Sequence, residues 1–110
     1  MTGPVMALSS VATAEDGERI ARSLVEKGLA ACVNVVSGVV SYYRWKGRLE
    51  RDAEVLLVIK TRGERFEELQ AVLLAEHPYE VPELVAIPIA AGHHRYLEWL
   101  EDSVRGPGEP

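Results

Sequence analysis

The sequence predicts an α+β domain with the element order β-α-β-β-α-β and one further C-terminal helix, and three observations carry that reading. Short apolar, β-branched runs alternate with segments whose apolar residues recur at helical spacing. Glycine and proline mark the changes of period. At 110 residues the chain is long enough for one core and too short for two.

Residues 5–11, Val5-Met6-Ala7-Leu8-Ser9-Ser10-Val11, read as a first strand. Thr13-Ala14-Glu15-Asp16 has the spacing of a capping box, in which the hydroxyl takes an orphan backbone N–H and the acid reaches back. Ile20, Ala21, Leu24 and Val25 give the helix its apolar stripe, and Gly28 suits the left-handed conformation that ends it. An extended stretch follows over residues 30–36 and resumes over 39–45, rich in valine and aromatics. The intervening Ser37-Gly38 is either a two-residue hairpin turn or a bulge in one long strand. Glu50-Arg51-Asp52 is expected to reverse the chain into residues 54–60, whose unbroken apolar run predicts a central strand buried on both faces.

Thr61-Arg62-Gly63-Glu64 offers a second capping box. The helix behind it, with Phe66, Leu69, Val72 and Leu73 on one face, must stop before Pro78. Pro78 and Pro82 hold the connection extended. Residues 83–89 form the next strand, and Pro88, which cannot donate to a ladder, puts it at a sheet edge or marks the strand's end. A third helix runs through Tyr96, Leu97, Leu100 and Val104. One domain is expected over residues 1–106, with a disordered tail over 107–110. The order is that of a ferredoxin-like sandwich, an antiparallel sheet with two helices on one face.

Composition narrows the function classes. A net charge of -5, with basic residues scattered among acids, supplies no positive stripe for phosphate or anionic lipid, so neither nucleic acid nor membrane is expected as a partner. Cys32 is the sole cysteine, so no intrachain disulfide is available. The chain starts without a signal-peptide pattern, and no apolar run approaches the roughly 18 residues that span a bilayer. A cytoplasmic location is the expectation.

Four stretches together carry a family resemblance. Residues 21–34, ending Leu29-Ala30-Ala31-Cys32-Val33-Asn34, are one, and Tyr43-Arg44-Trp45-Lys46-Gly47 with residues 54–61 is a second. His77-Pro78-Tyr79-Glu80-Val81-Pro82-Glu83 is the third, and Tyr96-Leu97-Glu98-Trp99 the last. In this order and spacing, over roughly residues 5–104, the chain resembles the CutA divalent-cation-tolerance family. The resemblance implies a tight homotrimer in which a long central β-hairpin pairs across subunits. Physical reasoning agrees, because arms of about ten residues reach roughly 30 Å, farther than one small domain covers. The outer half then needs a neighbour to bury Tyr42, Tyr43 and Trp45.

The resemblance also implies metal response and copper binding. Some members form a copper site from a cysteine late in the first strand and two adjacent histidines, at positions matching Ser9, Glu76 and His77. Only His77 is retained, and Glu76 in place of an imidazole favours a harder or borderline ion. His77 and Glu76 are therefore the metal candidates; the alternative for His77 is a helix-end histidine that anchors the turn before Pro78. Cys32 reads as core packing. His93 and His94, consecutive on a helix, diverge by about 100° and read as solvated. Tyr42, Trp45, Tyr79 and Trp99, with Lys60 and Glu83 as polar contacts, are candidates for a pocket or an interface between subunits.

The leading expectation is a trimeric binding or regulatory protein, with no catalytic residues and no obligatory cofactor, taking copper or another divalent cation or a small molecule. A structural scaffold that presents partner proteins is the second. An acylphosphatase-like enzyme is the third, and it would need a phosphate cradle with a placed arginine, for which no glycine-rich loop is present.

Overall fold

The computed structural model describes residues 1–104, and the tail expected over 107–110 lies outside them. The strands β1 (Pro4–Val11), β2 (Cys32–Trp45), β3 (Arg48–Arg62) and β4 (Val85–Pro88) form one antiparallel sheet in the order β2-β3-β1-β4. The helices are α1 (Ala14–Glu26), α2 (Phe66–Glu76) and α3 (His94–Ser103). Ile20 and Leu24 of α1 and Leu69 and Leu73 of α2 share a buried cluster with Ala7, Val11, Val55, Leu57 and Ile59 of the sheet. This places both helices on one face, as the order of periods predicts.

The ends of α1 follow from its sequence. The Thr13 hydroxyl accepts from the Asp16 amide at 3.1 Å, while the Asp16 carboxylate pairs with Arg19 at 3.2 Å instead of reaching back. At the other end Gly28 has φ +70. Its amide reaches the Val25 carbonyl and the Leu29 amide reaches the Leu24 carbonyl, both at 3.0 Å, which makes a Schellman cap.

Ser37-Gly38 is a bulge: Val36 pairs with Leu56 and Val39 with Glu54, so two residues of β2 oppose Val55 alone. The chain reverses at Lys46-Gly47, between paired Trp45 and Arg48, and not at Glu50-Arg51-Asp52. Lys46 and Gly47 both have positive φ, +50 and +78, the geometry that matches strand twist in a two-residue turn. Glu50, Arg51 and Asp52 instead pair with Tyr43, Tyr42 and Ser41; their polarity reflects an exposed outer strand, not a turn. β3 is central in the sheet, but its burial alternates, with Val55, Leu57, Ile59 and Thr61 inward and Leu56, Val58 and Lys60 only half covered. The expected burial on both faces is therefore corrected to one.

Thr61 is not a helix cap. It is the buried end of β3, pairs with Val5, and its hydroxyl donates to the Leu29 carbonyl at 2.6 Å. A 3-10 turn, Gly63–Arg65, leads into α2 with no side-chain cap. α2 stops at Glu76, before Pro78. β4 is an edge strand shorter than residues 83–89, and Pro88 stands at its end opposite Val5.

One close approach sets the spacing between α1 and the sheet. A Cβ on Gly17 would lie 3.3 Å from Leu57 Cδ2 and from Val11 Cγ2, and 3.4 Å from Val35 Cγ1. Gly17→Val is expected to force α1 away from β1 and β3 and to lower stability by about 1–3 kcal/mol, read as an earlier chemical or thermal unfolding midpoint. An unchanged midpoint would show that the helix has room to shift.

Candidate functional site

Residues 77–83 cross from the end of α2 to β4, and three ties hold them against the sheet. The first is His77, which is buried. Its Nδ1 accepts from the Tyr79 amide at 3.1 Å, so the lone proton of the neutral ring resides on Nε2, which donates to the Ser10 carbonyl at 2.8 Å. The second is the buried Ser9 hydroxyl, donating to the Glu83 carbonyl at 2.7 Å. The third is the Tyr79 hydroxyl, donating to Glu54 Oε2 of β3 at 2.6 Å.

Between this strap and the outer half of the hairpin lies an open cleft of about 650 Å³. Its rings are Tyr42, Tyr43, Trp45 and Tyr79, its carboxylates Glu54, Glu80 and Glu83, and its hydroxyls Ser10 and Ser41, with Pro78 and Val81 on the strap. No lysine, arginine or histidine lines it among the described residues. Glu54 is 8 % exposed, and apart from the Tyr79 hydroxyl on Oε2 its carboxylate makes no hydrogen bond or ion pair among the described residues.

Two phenols are held neutral here. The Tyr43 hydroxyl donates to Asp52, and that bond, partial burial and the Asp52 charge push it up to about 12. Burial, then the bond to Glu54 and its charge, push Tyr79 up further.

The expected site residues divide. Tyr42, Trp45, Tyr79 and Glu83 meet around the cleft. Lys60 does not; it pairs across the ladder with Asn34 Oδ1. Trp99 lies on α3, stacked on Tyr96 at 5.5 Å between ring centroids. His93 caps α3 by accepting from the Tyr96 amide at 3.4 Å, and His94 pairs with Glu98 at 3.2 Å. Cys32 is half-buried and unbonded to another cysteine.

The pairing of His77 with Glu76 for a metal is not assembled in this geometry. The Glu76 carboxylate accepts from Ser23 on α1 at 2.7 Å, while the His77 ring is turned to β1 and the strap with both nitrogens engaged. Ser9, at the third position, gives its hydroxyl to the strap. This set offers neither a thiolate nor a free imidazole lone pair, so it does not fit a copper ion. No group of three or more His, Cys, Asp or Glu side chains among the described residues is arranged to hold a metal. Glu54 was the residue least visible beforehand. Its one signal is an acid opening an otherwise apolar run, which is what a buried, functionally placed carboxylate looks like in sequence.

Residues 5–103 match the family described as CutA1 divalent ion tolerance protein. The chain is 48% identical over 96 residues to a divalent-cation tolerance protein CutA of Thermus thermophilus, covering 87% of this chain and 93% of that one. It is 47% identical over 96 residues to the chloroplastic CutA of Arabidopsis thaliana, covering 87% of this chain and 53% of the plant protein, so the match spans about half of that relative. Among solved structures, Cut A1 from Thermus thermophilus superimposes with a TM-score of 0.90 at 45% identity, covering 93% and 99% of the two chains. A protein described as PII-like, CutA from Nostoc in apo form, superimposes with a TM-score of 0.84 at 37% identity, covering 96% and 98%.

Two measurements check the site's geometry. In an absorbance titration at 295 nm, Tyr43 and Tyr79 should ionise after the ordinary range near 10, with a step near 12 that Tyr43→Phe removes. Because both values are raised in the fold, the stability they contribute is complete below about pH 10 and is lost as pH rises through the raised values. Ionisation of all four tyrosines together near 10 would contradict it. His77→Ala should cost about 2 kcal/mol, since it strands the Ser10 carbonyl and the Tyr79 amide. Hydrogen exchange at the Tyr79 amide should quicken; unchanged protection would mean that His77 does not hold the strap.

Proposed function

The chain belongs to the CutA1 divalent ion tolerance family, and from that premise we propose that it is a homotrimeric, PII-like binding protein whose cleft takes positively charged ligands. Divalent cations are the class that the names of its relatives support, and copper stands first among them only by the sequence resemblance. The observation that carries this reading is the cleft itself. It has three carboxylates and no basic side chain among the described residues, so it favours cations and disfavours phosphate and other anions. For the same reason we assign it no acylphosphatase-like turnover, which needs a basic or N–H-rich cradle for the phosphoryl oxygens.

An ion in the cleft would draw on oxygen donors, Glu54, Glu80 and Glu83, completed by water or by a neighbouring subunit, because one chain does not cluster them tightly enough. His77 keeps its structural bonds in this account.

The trimer is supported by what a single chain leaves uncovered. The molecule measures 46 × 27 × 23 Å, the edges of β2 and β4 have no strand beside them among the described residues, and Tyr42 and Leu49 on the outer hairpin are 66 % and 72 % exposed. Such edges and apolar side chains are stable when a second copy pairs with them. A scaffold role for the same trimer would use its outer surface, and no feature on the page selects a protein partner for it. The cytoplasm remains our placement, from the acidic charge and the lone Cys32. Among the described residues no helix is long and apolar enough to cross a membrane.

Light scattering after gel filtration should give about 36 kDa, three times 12.1 kDa. Calorimetry with Cu(II) and Zn(II) should show heats that fall on Glu54→Gln or Glu83→Gln and persist in Glu76→Gln. A monomer mass would refute the trimer. Heats lost only in Glu76→Gln would return the metal to the end of α2.

A further inference from the structure

The cleft is larger than a bare ion needs, and within one chain its carboxylates do not by themselves cage one, so its walls also suit a bulkier cation. Volumes of roughly 300–1,000 Å³ suit organic molecules, and this cleft, at about 650 Å³, lies within that range. Four aromatic rings line it, and the faces of such rings carry negative quadrupolar charge that attracts cations. Two of these rings already draw cations within the chain: Lys46 Nζ stands 5.8 Å from the Trp45 centroid and the Arg51 guanidinium 5.7 Å from that of Tyr42. A side-chain cation can occupy only one face of a ring.

The second observation is Glu54. It is more than nine-tenths buried, it lines the cleft, and only Oε2 is engaged, by the Tyr79 hydroxyl. Its other oxygen has no partner among the described residues. That oxygen is not fully enclosed, so it faces the open cleft, where water or, with charge assistance, an ammonium N–H can donate to it. Tyr43 and Tyr79 cannot serve as that donor, since each gives its hydroxyl to a carboxylate already.

We propose that the cleft between the outer half of the hairpin and residues 77–83 binds an organic amine in its ammonium form. The charged nitrogen sits at Glu54, with Glu83 at the rim, and the carbon skeleton lies against Tyr43, Trp45 and Tyr79, whose β2 members share the face of Glu54. The proposal rests on the reading of this cleft as the ligand site and goes beyond it in naming the ligand's chemistry: a cation that also carries apolar surface.

The test uses the full chain in its native oligomer, with Trp99→Phe so that Trp45 is the only tryptophan reporting. Cyclohexylammonium, cyclohexanol and cyclohexanecarboxylate share one skeleton and differ in charge. The ammonium should shift Trp45 emission and bind about ten-fold or more tightly than the alcohol, with the carboxylate weakest. Glu54→Gln, which can still accept from Tyr79, should weaken the ammonium about ten-fold and leave the alcohol unchanged. Glu101→Gln on α3 should alter neither.

Equal binding of ammonium and alcohol, or indifference of the ammonium to both Glu54→Gln and Glu83→Gln, overturns the proposal. Competition with Zn(II) separates it from the broader reading. Zinc bound at the cleft with no ammonium binding sinks the amine alone. Ammonium binding that zinc does not displace supports the amine and removes the metal from this cleft. If none of the three compounds changes the emission, the proposal fails.

Discussion

The tie on which the site depends is the His77 imidazole, hydrogen-bonded to the Ser10 carbonyl through one nitrogen and to the Tyr79 amide through the other. It joins the end of α2 to the end of β1 and bends the chain into the strap. Ser9 and Tyr79 then secure the strap's far end and its middle. A neutral ring is required, because one nitrogen must accept while the other donates. The local structure therefore selects one tautomer, and the same selection withdraws both nitrogens from metal binding.

From that tie the character of the cleft follows. The strap carries Tyr79, Glu80, Val81 and Glu83 to the outer half of the hairpin, where β2 contributes Tyr43 and Trp45 and β3 contributes Glu54. Carboxylates and phenols are thus gathered without a basic side chain on the cleft's lining, which raises Tyr43 through its bond to Asp52 and Tyr79 through burial and then its bond to Glu54. The negatively biased cleft lies along the outer half of a projecting hairpin whose Tyr42 and Leu49 are exposed in the single chain.

The bulge and the turn show how two glycines were read. Gly38 and Gly47 each have positive φ, yet one sits within a strand and the other between strands. Gly38 interrupts a β-branched run, whereas Gly47 stands between Lys46 and Arg48. The deciding factor is the register of β3 across the sheet. The polar run Glu50-Arg51-Asp52 misled for a related reason: polarity marks exposure, and the outer hairpin is exposed along both strands.

Order of elements, helix ends at Thr13, Gly28 and Pro78, the edge position of β4 and the family itself were determined by the sequence alone, since each depends on local conformational preference or on a run of neighbouring residues. Tyr42, Trp45, Tyr79 and Glu83 were candidates for a pocket or an interface in the sequence, and only the structure sets them along one cleft. Only the tertiary structure decided the use of His77, the departure of Lys60 and Trp99 from the site, and the arrival of Glu54 in it. Those depend on which backbone groups lie opposite a side chain in space. His77 finds its partner 67 residues away at Ser10, and no local rule encodes a contact at that separation.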